Sequence, residues 1–178
     1  MMESLLQQDF HRYTSAKAMP KSQYYFRKVQ ATPPRKFIAW VWYKIMWKYY
    51  RTVYHIEIDP NTKIGGGLYM GHPYCITVNQ KAVLGKNINI HKGVTIGQEN
   101  RGSRKGVPTI GNNVWIGINA IIVGNITIGD DVMIGPGAYV NFDVPSHSLV
   151  IGNPGVIHHK DNATLHYVDN PINIKEDE

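Results

Sequence analysis

Cysteine is almost absent from these 178 residues. Cys75 stands alone, which excludes an intrachain disulfide framework and fits a reducing compartment such as the cytoplasm. Nowhere do 18 apolar residues run together, so no membrane-spanning helix is expected. The N-terminus lacks the basic start, short apolar run and small-residue cleavage site of a secretory signal, so none is expected. Net charge is absent from most of the chain: residues 61–178 hold nine Lys/Arg against nine Asp/Glu, and the formal +6 comes from residues 1–60, with ten against four. A nucleic-acid-binding protein would carry a basic stripe on its main domain. With none there, no nucleic-acid partner is expected.

What the sequence has in quantity is a beat of six. Aliphatic residues recur at Ile58, Ile64 and Met70, then at Val78, Leu84, Ile90 and Ile96, and again from Ile110 through Ile116, Ile122, Ile128 and Ile134 to Val140. Glycine usually follows, as at Gly65, Gly85, Gly111 and Gly129, and an apolar or small residue often stands two positions earlier. Six is neither the helical period nor the alternation of an ordinary sheet; it is the period of hexapeptide β-helices. In each V-x-I the two apolar side chains point to the same side of a short strand. The following Gly-Asn or Gly-Asp turns the chain, because those residues tolerate left-handed backbone angles. Three strands and three turns make a triangular coil whose anchors stack into one aliphatic column. An antiparallel sandwich would not hold a six-residue phase for so long.

Counting by threes places two interruptions. Two extra residues fall at the corner between Met70 and Val78, the corner that contains His72, and eight more, within "GQENRGSRKGVPT", fall between Ile96 and Ile110. Insertions in solenoids commonly mark the binding face. Glu57, the middle residue of "IEI", points out of the wall one coil below the strand that His72 leads into. Such a carboxylate can fix the imidazole tautomer and leave the other ring nitrogen as a base; the alternative is a surface histidine with an incidental acidic neighbour. His91 follows Ile90, one coil above the Met70 position, and is either an acceptor-site residue or a plain corner residue. Two histidines without an aligned third ligand do not suffice for zinc, so no metal is expected.

Residues 35–51, rich in Trp and Tyr, read as a helix behind the stop at Pro33 and Pro34, with Lys44, Lys48 and Arg51 on one face. A shorter helix is expected within residues 3–28, bounded by Pro20. The expected organisation is a helical segment over 1–53, the β-helix over 54–157, and a polar tail over 158–178 that covers the open end of the coil or trails along its side. The aromatic helix either packs against the coil or a neighbouring subunit, or makes peripheral contact with the inner face of a membrane through residues 35–51.

The hexapeptide run, the corner "YMGHP", the stretch "IHKGVTIG", the segment "PTIGNNVWIGINAIIVGNITIGDDVMIGPGAYV" and the close "VPSHSLVIGNPGVI" together resemble the serine acetyltransferase branch of left-handed β-helix acyltransferases, over roughly residues 54–157. The resemblance implies a left-handed parallel β-helix, a homotrimer with clefts between neighbouring coils, and acetyl-CoA as donor. It implies His72 as general base and Glu57 as its carboxylate partner, where the family usually has Asp. Backbone near Gly97 and Ile118 would line the pantetheine arm, and Arg101, Arg104 and Lys105 offer cations for the donor's phosphates unless they are merely solvated loop charges. Sugar acetyltransferases that use a histidine just after "WIG" do not match, since Asn119 stands there.

Departures from the branch are equally specific. Gly71 stands where Asp usually precedes the base. The loop ends in Lys-Gly-Val-Pro, so Gly106 and Val107 replace the Arg and His that hold the amino-acid substrate. Loss of such polar anchors should abolish recognition of a zwitterion. The expected activity is therefore acetyl transfer to a hydroxyl of a sugar or surface-polysaccharide precursor. The alternatives are serine O-acetylation for cysteine biosynthesis and a non-catalytic β-helix assembly module.

Overall fold

The structure, a computed structural model, describes residues 4–15 and 18–174; the outermost parts of the expected N-terminal segment and tail lie outside them. Three helices come first: α1 (Leu5–His11), α2 (Lys21–Ala31) and α3 (Phe37–Tyr54). Ser4 and Gln7 close a reciprocal capping box on α1, satisfying donors that the first turn leaves free. Pro20 fixes the entry to α2. The expected single short helix is thus two. The aromatic helix also runs three residues past Arg51, because nothing stops it before His55, which takes the left-handed conformation at φ 52° and donates its N–H to the last turn.

The rest is a triangular β-helix with the left-handed coil of hexapeptide-repeat proteins. Its first wall stacks β1 (Glu57–Ile58), β4 (Thr77–Val78), β7 (Thr95–Gly97), β10 (Ile121–Val123) and β13 (Tyr139–Val140). The second stacks β2 (Lys63–Ile64), β5 (Val83–Leu84), β8 (Thr109–Ile110) and β11 (Thr127–Ile128). The third stacks β3 (Tyr69–Gly71), β6 (Asn89–His91), β9 (Val114–Ile116), β12 (Val132–Ile134) and β14 (Ser148–Ile151), closed by the antiparallel β15 (Val156–His159). The anchor columns are those the six-residue count predicts. Met70, Ile90, Ile116 and Ile134 align on the third wall, and Ile58, Val78, Ile96, Ile122 and Val140 on the first. All of these are buried, and each such side chain is worth about 1.5–3 kcal/mol relative to exposure.

Turn chemistry is stacked as strictly as the core. Between the second and third walls the left-handed residues are Gly67, Asn87, Asn113, Asp131 and His147, one per coil. Each of the last four donates its N–H to a carbonyl of the coil below. Asn87 also donates its side-chain amide to Asn113 at 3.0 Å, so the corner is a ladder in its own right. The tail takes the second of its two expected courses and trails along this edge. Asp131 accepts the backbone N–H groups of Ala163 and Thr164, Asn87 binds Ile172, and Asn89 donates to the Tyr167 carbonyl.

Buried polar groups join the helices to the lowest coil. Asp9, fully buried, accepts from Arg27, from Gln23 and from the Leu68 N–H. Arg27 in turn donates to the carbonyls of Ile64 and Gly65. Arg12 ties three parts of the chain together by donating to Gly67, Asn89 and Asp169. Removing one member of a buried charge pair leaves the other uncompensated. Arg27→Met should therefore destabilise the protein by about 3–5 kcal/mol, and the pair variant Asp9→Asn/Arg27→Met by clearly less; urea unfolding of the three proteins measures this.

Candidate active site

The regular corner between the third and first walls needs one left-handed residue, supplied by Cys75, Gly93, Asn119 and Gly137 in successive coils. Their backbone N–H or preceding carbonyl groups pair from coil to coil, as Gly93 to Tyr74 and Asn119 to Lys92. Because Gly71 is in register with His91, and Cys75 takes the place of Gly93, the two extra residues are His72 and Pro73. His72 is itself left-handed, at φ 53°. A non-glycine residue in that region costs of order 1 kcal/mol. The Tyr74 N–H returns to the His72 carbonyl at 2.7 Å, closing a tight turn around Pro73. From below, α3 braces this turn: the Tyr54 carbonyl accepts the Cys75 N–H at 2.9 Å, and the Tyr54 ring meets Tyr74 edge to face at 5.0 Å. The result is an exposed imidazole on a rigid projection.

His91 stands beside it. Its ring packs against Trp115 with centroids 4.8 Å apart, and its Nε2 is buried without a hydrogen-bond partner. Burial, and secondarily the charge of His72, push the His91 imidazole below the ordinary histidine range, so it is neutral at pH 7. The ring fills the space above Gly71: a Cβ there would lie 2.6 Å from both Nδ1 and Cε1 of His91. Gly71 and His91 thus presuppose each other. Beyond His91 opens a cavity of about 330 Å³ on the third wall, roofed by the N-terminal segment and the tail, with Tyr13, Tyr69, Trp115 and Tyr167 among its walls. Tyr69, Asn89 and Trp115 occupy the same outward position on successive strands. The six-residue count could have grouped them, but the roof comes from segments without a repeat.

Other sequence-derived candidates are distributed around the first wall. Glu57 lies on β1, opposite Thr77, with its carboxylate exposed. Within one chain no hydrogen bond or ion pair joins it to His72, so the structure brings His72 together with His91 rather than with Glu57. Gly97 ends β7 at the far edge of the wall, while Ile118 sits at the near corner and accepts the Gly137 N–H. The long excursion folds back as a small hairpin, with Glu99 and Gly106 exchanging backbone hydrogen bonds. It leans on the coil above, where Asn125 donates to the Arg104 carbonyl. Arg104 lies 3.6 Å from Glu99, which partly neutralises it, whereas Arg101 and Lys105 are exposed without an ion-pair partner among the described residues. The His72 corner and the cationic loop therefore border the same wall from opposite edges. Among the described residues no three potential metal ligands converge.

Residues 108–141 match the family model for bacterial transferase hexapeptide (six repeats). A serine acetyltransferase of Helicobacter pylori is 33% identical over 141 residues, covering 79% of this chain and 74% of that protein. The serine acetyltransferase of Synechococcus elongatus is 36% identical over 114 residues, 64% of this chain and 47% of that protein, so the chain spans about half the length of that relative. Among solved structures, the serine acetyltransferase of Neisseria gonorrhoeae superposes with a TM-score of 0.69 at 28% identity, covering 88% of this chain and 66% of that one.

The Gly71–His91 contact makes a quantitative prediction. Because the ring is held against Trp115, Gly71→Ala should cost about 1–3 kcal/mol through overpacking. In a His91→Ala background the same change should cost about 0.5 kcal/mol or less, giving a coupling of about 1 kcal/mol or more in a double-mutant cycle. Strict additivity in urea unfolding would show that the two positions do not touch.

Proposed function

The chain belongs to the serine acetyltransferase family of hexapeptide-repeat transferases, and we propose that it transfers an acetyl group from acetyl-CoA to a hydroxyl by direct attack. The observation that supports this most is the His72–Pro73 insertion, which exposes an imidazole in a strained, braced turn that the β-helix does not require for its own packing. In the proposed step a ring nitrogen of His72 takes the hydroxyl proton as the acceptor oxygen attacks the thioester carbonyl carbon. Backbone donors in the cleft stabilise the oxyanion. The carbon–sulfur bond then breaks, and the CoA thiolate recovers the proton from His72. Glu57, brought against His72 in the assembled cleft, holds the tautomer. Among the described residues no hydrogen bond joins the Cys75 thiol to a base, and direct attack needs no acyl-enzyme. The donor lies along the first wall, with Gly97 and Ile118 offering backbone and Arg101, Lys105 and the half-neutralised Arg104 facing its phosphates. A homotrimer supplies the second wall of each cleft, and use of acetyl-CoA places the reaction in the cytoplasm.

Two acceptors have separate support. The relatives are serine acetyltransferases, which favours L-serine. A sugar hydroxyl, as in a polysaccharide precursor, is favoured by three local features. His91 fills the space that a side chain at position 71 would need, Gly106 and Val107 close the loop without a charge, and the cavity beside His91 is walled by aromatic rings, which stack on the apolar faces of sugars. His91, neutral and with a free Nε2, is then an acceptor-side hydrogen-bonding group.

Release of CoA thiol under saturating acetyl-CoA, with L-serine and a panel of nucleotide sugars and glycans, tests both readings. His72→Ala should lower kcat by about 10²–10⁴-fold with the active acceptor, and Glu57→Gln by a smaller factor. Turnover undiminished in His72→Ala removes the base assignment; no turnover with any acceptor favours the non-catalytic module. In the acceptor arm, the ratio of kcat/KM values decides, and a preference for L-serine over every sugar in the panel excludes the glycan reading.

A further inference from the structure

Helix α3 has an outer face that the protein leaves uncovered. Its inner face is fully used: Trp47 is buried against Phe26, and Tyr50 stacks on Tyr25 at 5.4 Å. On the opposite side stand Ile38, Trp42, Ile45, Tyr49 and Val53, between 48% and 86% exposed. Their spacing of four, three, four and four residues puts all five on one stripe along the helix. An 18-residue helix is about 27 Å long, so the stripe is a continuous apolar ridge rather than a scattering of single side chains.

Charge lies beyond one border of that ridge, roughly a third of a turn round the helix. Lys44, Lys48 and Arg51 line a groove of about 410 Å³ with Trp47, Thr52 and Pro60. Among the described residues none of the three cations has a carboxylate partner; Lys44 instead lies over the Trp40 ring at 4.0 Å. The wider segment is equally one-sided. Between Asp9 and Glu57 the sequence contains ten Lys/Arg and no acidic residue. No helix among the described residues is long and apolar enough to cross a membrane.

We propose that α3 is an interfacial helix that docks the protein on a bilayer containing anionic phospholipid, with the Ile38–Val53 ridge entering the headgroup–acyl boundary and the Lys44–Lys48–Arg51 groove holding lipid phosphate. A lipid surface uses both features at once, since aromatic rings settle at headgroup level while adjacent cations meet phosphate. A second copy of the same helix would set rows of cations against each other with no acid on α3 to offset them. A nucleic acid would satisfy the cations and leave Ile38, Ile45 and Val53 without a partner. The proposal stands independently of the acceptor.

The test is flotation of the full chain with vesicles of phosphatidylcholine alone and of phosphatidylcholine mixed with phosphatidylglycerol. Binding should appear only with the anionic vesicles and fall several-fold between about 0.1 M and about 1 M salt. Lys44→Gln/Lys48→Gln/Arg51→Gln should weaken it by about a hundredfold, roughly fivefold per cation. Ile38→Ser/Trp42→Ser/Tyr49→Ser should abolish it even at low salt. Quenching of the wild-type tryptophan emission by brominated acyl chains gives a readout that needs no variant. Failure of the wild type to float, absence of quenching, or equal flotation of the ridge variant overturns the proposal. So does a ridge variant that sediments as a smaller oligomer, which would make this face a contact between copies.

Discussion

Every feature of this protein depends on one constraint: coils stacked in parallel with no change of register must turn at the same place each time. A strand two or three residues long makes few hydrogen bonds of its own, so cohesion comes from columns. Those columns hold aliphatic anchors inside and left-handed residues at the corners. Gly67, Asn87, Asn113, Asp131 and His147 show how narrow the corner requirement is. Only residues that tolerate positive φ at low cost are suited to it, and their backbone and side-chain groups must then pair with the coil below. A chain built this way has little freedom to place chemistry within its walls. It places chemistry where it departs from them.

The His72 corner illustrates the economy of such a departure. Two residues are added, the regular left-handed position is still filled by Cys75, and the coil closes as before. What projects is one imidazole, fixed below by Tyr54 and Tyr74 and bordered by His91. Backbone strain at His72 is tolerated because coils on one side and α3 on the other over-determine the turn. The neutral, half-buried His91 is the converse case, a polar group inside a regular strand for which Gly71 leaves the room. The first is an insertion and the second a paired substitution, which is why they differ so much in visibility.

A period of six announces the walls, the anchor columns and the location of both insertions, and His72 follows from the count alone because an extra residue cannot hide in a strict repeat. Other features lack a period. Arg12 and Asp169 are 157 positions apart and meet through a backbone carbonyl, a contact that residue types do not encode. The Asp9–Arg27 pair likewise joins the end of the first helix to the second helix and to the first coil through side chains that read as ordinary surface charges. The helical segment is legible in kind, but the structure places a helix on each side of Pro20 and extends the aromatic helix to Tyr54, where His55 stands in place of the glycine that commonly ends a helix. Glu57 points outward as expected, yet its pairing with His72 is not made within one chain, because outward side chains of a solenoid wall are completed by whatever packs against that wall.

That same logic bears on acceptor choice. A zwitterion must be met by fixed opposite charges in a site that excludes water, and leaving any such partner out costs orders of magnitude in discrimination. In this chain the room at Gly71, just before His72, is filled by the imidazole of His91, and the loop ends in Gly106 and Val107, with Gly106 backed against Asn125. Neither place can regain a charge by a simple change of rotamer. If a neighbouring chain supplies charges at these two places, L-serine regains the partners that Gly71, Gly106 and Val107 do not offer. If it does not, the cavity beside His91 offers aromatic faces, one free imidazole nitrogen and amide and hydroxyl groups, which recognise a polyhydroxylated ring by stacking and hydrogen bonds; Arg12 and Asp169 also line it, with the Arg12 guanidinium already donating to the carbonyls of Gly67 and Asp169 and to Asn89. Under the proposed transfer, the choice rests on what packs against the His72 corner from outside the chain, a surface that the β-helix leaves open for whatever completes it.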